Sequence, residues 1–276
     1  MLLRKVILLS LVSIGCVYGM VFARSQATRI ISLGPFLTEE IYLLGEESKL
    51  VGCTAYCLPK TNKERVATII DVNLEKAVSL KPDLVLATAL TNFKDVEKLR
   101  SFKIAVEVFA QAKNFDELCA QFLRLAELLD KKPPAEKLVK KAKLKVERIE
   151  KRVANLDKVK VFVQVGVKPL FSVNKDSFIN DLIERAGGIN IAKSTEKGFF
   201  SREEVLRQNP EVIIITAMGL DEKIEKEIWL KYKNLKAVKN NKIYILDSYK
   251  LCSPTPLKFV DALEEIAEIL HPEEKL

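Results

Sequence analysis

The chain has 276 residues, 48% of them apolar, with ten glycines, ten prolines and a formal net charge of +8. Those proportions belong to a globular chain and exclude a disordered or fibrous one. The charge is local: Lys131–Lys160 alone carries +8 and contains no aromatic residue. It therefore reads as a solvated helix face, because a nucleic-acid footprint would interleave basic residues with base-stacking aromatics.

Residues 1–23 place Arg4 and Lys5 ahead of an apolar run, Val6 to Phe22, that is interrupted only by Ser10 and Ser13 and closes on Val21-Phe22-Ala23. This is the pattern of a secretory signal peptide. A lipoprotein signal cut before Cys16 is a second reading, and a retained membrane anchor a third. Each puts the mature protein in a periplasmic or other extracytoplasmic compartment.

The mature chain begins with an apolar strand at Arg29–Leu33. A Gly34–Thr38 turn follows, in which Thr38 is positioned to cap a helix over Glu39–Leu44 that Gly45 stops. Lys49–Val51 reads as a strand and Gly52–Lys60 as a loop. Then comes a sixteen-residue block, NLEKAVSLKPDLVLAT at Asn73–Thr88, which recurs as SREEVLRQNPEVIIIT at Ser201–Thr216. Aligned without a gap, the copies pair Glu75 with Glu203, Pro82 with Pro210 and Thr88 with Thr216. Each copy encodes a short helix, a Pro-acid turn and a strand (Leu84–Ala87, Val212–Ile215). A repeat at this separation implies two similar lobes, and a cleft between lobes is a favoured ligand site.

Between the copies, Phe93–Ser101 reads as a helix, Ile104–Val108 as a strand and Phe115–Leu129 as an amphipathic helix. Pro133 and Pro134 suit the first turn of a new helix. Its stripe of Leu138, Ala142, Val146, Ile149, Val153 and Leu156 packs one face and leaves the other wet. At ~22 residues it would be ~33 Å long, enough to cross from lobe to lobe. Beyond it the plan repeats: a strand at Val159–Val165, a loop to Lys175, a helix at Ser177–Ala186 stopped by Gly187-Gly188, and then the second copy. A helix at Glu222–Leu230, a strand at Lys242–Leu246 and a helix at Leu257–Leu270 close the chain. Strands alternating with helices indicate α/β lobes with parallel sheets. The expected division is residues 1–23 as signal, 28–130 as N-terminal lobe, 131–157 as connecting helix and 158–276 as C-terminal lobe.

RIISLGPFLTEEIYLLGEESKLVG, the two repeated blocks, VFVQVGVKPLFSVNKDSFINDLIERAGGINI and the closing ALEEIAEILHPE together resemble the class III, helical-spine substrate-binding proteins of ABC importers, which include the vitamin B12 and ferric-siderophore receptors. The resemblance spans nearly all of the mature chain. It implies two lobes joined by one long helix, little hinge closure and a ligand between the lobes. The expected ligand is a metal chelate: a corrinoid, ferric siderophore or haem-like molecule. It also implies that Glu75 and Glu203 dock onto arginines of a membrane permease, which works with its ATPase, and that the receptor is a monomer. Carboxylates near helix N-termini are stabilised there, and arginine forks bind them bidentately.

Tyr56 and Phe171 match two of the aromatic positions of the B12 receptors. Thr88, Lys197 and Leu251 stand where those receptors have two tryptophans and an arginine. Phe36, Phe199, Phe200 and Tyr249 lie on loops facing the same cleft and offer further stacking surfaces. Cys53 and Cys57 sit on one ligand loop and Cys252 on another. They are open to disulfide formation, to remaining inert thiols or to ligating a soft metal, whereas Cys119 on an amphipathic helix reads as core. The sole histidine, His271, lies near the C-terminus. No phosphate-binding loop, dinucleotide turn or nucleophile elbow occurs, so the expectation is a binding protein and not an enzyme. A cofactor- or metal-binding sensor or chaperone, uncoupled from a transporter and using the cleft cysteines, is the alternative.

Overall fold

The computed structural model describes residues 27–216 and 221–273; the signal-peptide reading, with Cys16, lies outside them. In chain order the first half contains β1 (Ile30–Ser32), α1 (Pro35–Leu43), β2 (Leu50–Thr54), β3 (Glu64–Ala67), α2 (Leu74–Ser79), β4 (Leu84–Thr88), α3 (Phe93–Ser101), β5 (Ala105–Phe109) and α4 (Phe115–Leu128). The spine is α5 (Lys132–Val153). Then come β6 (Val159–Gln164), α6 (Phe178–Arg185), β7 (Gly188–Asn190), α7 (Arg202–Gln208), β8 (Val212–Ile215), α8 (Glu222–Leu230), α9 (Lys236–Lys239), β9 (Ile243–Ile245), α10 (Ser248–Cys252) and α11 (Pro256–Leu270).

Every strand pairing is parallel. One sheet has the order β3-β2-β1-β4-β5, the other β7-β6-β8-β9. β4 (LVLAT) and β8 (VIII) are buried along their whole length, as strands covered on both faces by helices must be. Successive residues point to opposite faces. Ile30 and Leu86 therefore join a central core, while Ile31 and Val85 join an outer one with Val96 and Leu99 of α3. In the second sheet Val163 and Ile214 face the same central core, and Phe162, Ile213 and Ile215 face an outer one built around Trp229. A single apolar core thus runs through both lobes, with α4, α5, α6 and α11 packed between the sheets.

The spine buries Ala135, Val139, Ala142, Val146, Ile149 and Val153, and its lysines face water. The expected stripe is shifted at its start, with Val139 inside and Leu138 half-buried, since the packed face continues back from Ala142 through Val139 to Ala135. Further ties cross between the lobes. The Phe115 N–H donates to Asp181 Oδ2 at 2.8 Å, the Phe115 and Phe259 rings lie 4.7 Å apart, and Lys258 pairs with Glu39.

Several short elements differ from the sequence reading. β2 runs on through Gly52, Cys53 and Thr54, and β3 occupies part of the following stretch. α10 falls where a loop was expected, and β7 and α9 lie in stretches to which the sequence assigns no element. Thr38 does not cap α1. Gly34 is the N-cap with Pro35 at N1, and Thr38 is inside the helix, buried, with its hydroxyl turned to Ser32 Oγ at 2.8 Å.

Candidate ligand cleft

In an open parallel sheet, ligands bind outside the carboxyl ends of the strands, at the point where strand order reverses. Here those points lie between β1 and β4 in one lobe and between β6 and β8 in the other. Phe36 follows β1 and Phe171 follows β6, while Tyr56, Phe199 and Tyr249 follow the neighbouring strands β2, β7 and β9. At the first switch point a recess of about 130 Å³ opens, walled by Gly34 and Phe36 after β1, Thr88 and Leu90 after β4, and Phe109 and Gln111 after β5. Phe178, Cys252 and Pro254 of the other half close it. The recess is therefore shared by both lobes. Gly34 lets β1 and β4 approach closely here, since a Cβ would come within 2.6 Å of Thr88 Cγ2 and force that side chain to shift.

Phe36 lines this recess. Tyr56, 45% exposed, stands on the turn after β2. On the opposite lobe Phe171 and Phe199 are exposed and meet edge to face at 5.4 Å. Gly198 permits that approach: its φ is +78°, and a Cβ would fall 2.7 Å from the Phe171 ring. Phe200 turns the other way and packs 5.6 Å from Phe162 on the outer core, so it is a packing residue and not a stacking surface. Tyr249 is half-buried in the first turn of α10 and does not line the recess.

The three thiols proposed as one ligand set do not converge. Among the described residues no group of three or more His, Cys, Asp or Glu side chains is placed to hold a metal ion. Cys252 lines the recess beside Thr216. Cys53 and Cys57 are buried together behind the Tyr56 turn, and all four described cysteines are free. Thr38 Oγ1 lies 2.9 Å and Thr54 Oγ1 3.2 Å from Cys57 Sγ, and Arg65 Nη1 donates to Cys53 Sγ at 2.6 Å. The hydrogen bond from Cys53, with those from Thr38 and Thr54, holds the Cys57 thiol down at about 6, while its own bond to Cys57 and burial push Cys53 well up. Cys119, in apolar surroundings, is pushed up by burial to about 12. The contacts of Arg65 and Thr38 with these thiols were not foreseen from the sequence, since nothing in the spacing ties either residue to a cysteine.

Glu75 and Glu203 occupy the same place in equivalent helices. Each is the second residue of a short helix whose N-cap side chain accepts a backbone N–H: Asn73 from Lys76 in α2, Ser201 from Glu204 in α7. Both helices lead into a central strand, so their N-termini lie at the carboxyl edges of the sheets, on the rim that carries the ligand loops. Both carboxylates are exposed, and neither has an ion-pair partner among the described residues. Glu203 is held below the usual carboxylate range by its own backbone N–H and the Ser201 side chain. Glu204, by contrast, is engaged by Arg207 at 2.5 Å.

The periplasmic binding protein family profile matches residues 30–250, from the first strand to the turn of helix that carries Tyr249. The chain belongs to the periplasmic binding protein family. Among its relatives are the vitamin B12-binding protein of Vibrio cholerae, 28% identical over 90% of this chain and 91% of the relative, and the ABC transporter substrate-binding lipoprotein YvrC of Bacillus subtilis, 28% identical over 91% and 82%. The crystal structure of the Vibrio cholerae vitamin B12-binding protein BtuF superposes with a TM-score of 0.78 at 28% identity, covering 91% of this chain and 99% of that one. A periplasmic haem-binding protein from Pseudomonas aeruginosa shares the fold, with a TM-score of 0.82 at 20% identity over 90% and 94% of the two chains. The two parallel-sheet lobes expected from the repeat are the architecture of this family.

Proposed function

We propose that this protein is the extracytoplasmic receptor of an ABC importer. It captures a metal chelate of corrinoid, ferric-siderophore or haem type and presents it to a membrane permease. The observation that carries the reading is the pairing of two rims on one frame. Phe36 lines the shared recess, and exposed aromatic side chains stand on strand-end loops of both lobes, Tyr56 on one and Phe171 with Phe199 on the other. At the same edges each lobe presents one unpaired carboxylate at an equivalent helix start. Flat conjugated ligands stack on such aromatic faces, and paired carboxylates suit arginines on a partner. The naming of relatives as vitamin B12-binding proteins supports the same ligand class. The work is binding and delivery; no reaction is implied.

Titration of the mature protein with cyanocobalamin, haemin and ferric siderophores, followed by absorbance, tests the reading. One of these classes is expected to bind saturably, and Tyr56→Ala and Phe171→Ala are each expected to weaken it about three- to tenfold through lost stacking. Binding that neither substitution alters would remove the cleft assignment. Glu75→Arg with Glu203→Arg is expected to abolish ligand-loaded docking to the permease in proteoliposomes and to leave ligand affinity unchanged.

A further inference from the structure

Cys53 and Cys57 have surroundings unlike those of an inert core thiol. Thr54 C=O accepts the Cys57 N–H at 3.4 Å, closing a turn that folds Cys57 back over the end of β2, against Cys53. Both cysteines are buried in the same core, four residues apart across this turn. The Thr38 and Thr54 hydroxyls contact Cys57 Sγ, and the Arg65 guanidinium donates to Cys53 Sγ. An unreactive buried cysteine sits among apolar groups, as Cys119 does, whereas a reactive one sits among donors that stabilise its thiolate. A positive guanidinium 2.6 Å from Cys53 Sγ also opposes a cation at the pair. Residues 55–63 have no regular structure beyond turns, and Ala55, Tyr56, Pro59, Lys60 and Asn62 are exposed.

We propose that Cys53 and Cys57 are a redox pair that closes to a disulfide, and that this bond fixes the loop carrying Tyr56. The exchange balances with an external disulfide as oxidant. The Cys57 thiolate attacks one of its sulfurs, forming a mixed disulfide and releasing the other sulfur as a thiolate. Cys53 gives its proton to that thiolate, and its own sulfur, held by Arg65, attacks Cys57 Sγ and releases the second sulfur as a thiolate, which takes up from solvent the proton that Cys57 had lost. Two protein thiols are oxidised and one external disulfide is reduced to two thiols.

The loop is coupled to the pair at several points. Arg65 donates to Thr54 O at 3.1 Å and Thr61 O at 3.0 Å as well as to Cys53. The Tyr56 N–H donates to Thr54 Oγ1 at 3.3 Å. Thr38, which contacts Cys57, also reaches Ser32 Oγ and Gly34 O at the wall of the recess. Closing the bond removes the Cys57 thiolate from this hydroxyl chain and ties the Tyr56 turn covalently to β2.

The test uses the mature protein equilibrated in mixtures of reduced and oxidised dithiothreitol, then denatured, alkylated and analysed by peptide mass. Cys53 and Cys57 are expected to lose both alkyl groups together along one two-electron curve, while Cys119 stays fully alkylated as an internal control. Backbone amides of residues 55–63 are expected to exchange more slowly in the oxidised protein. Cys53→Ser should leave Cys57 alkylated across the whole series. Full alkylation of both cysteines in the most oxidising mixture, or pairing of either with Cys252, would overturn the proposal. So would a disulfide that leaves loop exchange unchanged. None of these readouts involves a ligand, so they stand or fall apart from the receptor assignment.

Discussion

Gly198 shows how a single residue shapes the cleft. Its φ of +78° is open to glycine, and an added Cβ would meet the Ser172 carbonyl oxygen at 2.5 Å, which is backbone and cannot swing away. Gly198→Ala is expected to destabilise the protein by about 1–3 kcal/mol and to weaken ligand binding through the displaced Phe171 ring. Urea unfolding and ligand titration measure the two effects separately. Glu40 gives a second residue-level prediction. It is fully buried, its Oε2 has no partner, and burial, followed by the charge of Glu39, raises its pKa well above the ordinary value. A carboxyl raised in the folded state gives its full stability below the unfolded pKa and loses it as pH rises through the folded one. Glu40→Gln stays neutral throughout. It should match the wild type near pH 4 and exceed it by about 1–3 kcal/mol at pH 8; equal pH profiles for the two proteins would show the burial to be harmless. From the sequence, Glu40 was one of two adjacent acids on a helix. Its place on the buried face follows from its spacing to Leu37 and Leu44, three residues before it and four after it.

At the scale of elements, the repeated block was readable because its two copies carry the same signals: a capping residue, an acid at the second helical position, a proline and an apolar run. β3 and β7 were not, because ERVA and GIN are too short to display a period and owe their extended form to the neighbouring strand. α10 was hidden for a similar reason: its five residues are set by Asp247, whose side chain accepts the Tyr249 N–H, and not by an apolar stripe. The block's second copy also carries a polar network that pattern could not reveal. Arg202 at the start of α7 donates to Glu225 at 2.6 Å and lies 4.5 Å over the Trp229 ring, Gln164 donates to Glu225 at 2.8 Å, and Trp229 donates to Gln164 at 2.6 Å. These partners lie up to 65 residues apart. Arg202→Ala leaves the Glu225 charge buried and unpaired, at an expected cost of about 3–5 kcal/mol. Adding Glu225→Gln should recover much of that loss, since a neutral amide can still accept from Gln164. A double-mutant cycle in urea decides it, and additive losses would mean that the two residues act independently.

For the molecule as a whole, the decisive feature is that the lobes share one core. Two lobes joined only by a linker would hinge. Here α4 and α11 lie beside the spine, and the central core draws side chains from both sheets. The ties across it are varied in kind: the Phe115–Asp181 hydrogen bond, the Phe115–Phe259 ring contact, the Glu39–Lys258 ion pair, and Arg185 of α6 reaching Glu150 of the spine at 2.5 Å and Asp116 of α4 at 3.8 Å. A large closure would have to part several of these at once and expose buried aromatic surface, and close-packed interiors do not deform continuously. Ligand capture should therefore proceed by movement of the strand-end loops on a fixed frame. Small-angle scattering of the protein with and without saturating ligand is expected to give superimposable curves, with backbone shifts within about 1 Å outside the loops. A contraction on binding would mean that the shared core parts, and the ties between α4, α6 and α11 would then be latches and not struts. Lys258→Ala separates these cases. A strut of this kind changes stability and leaves the scattering of both states unchanged, whereas a latch would alter the apo curve alone.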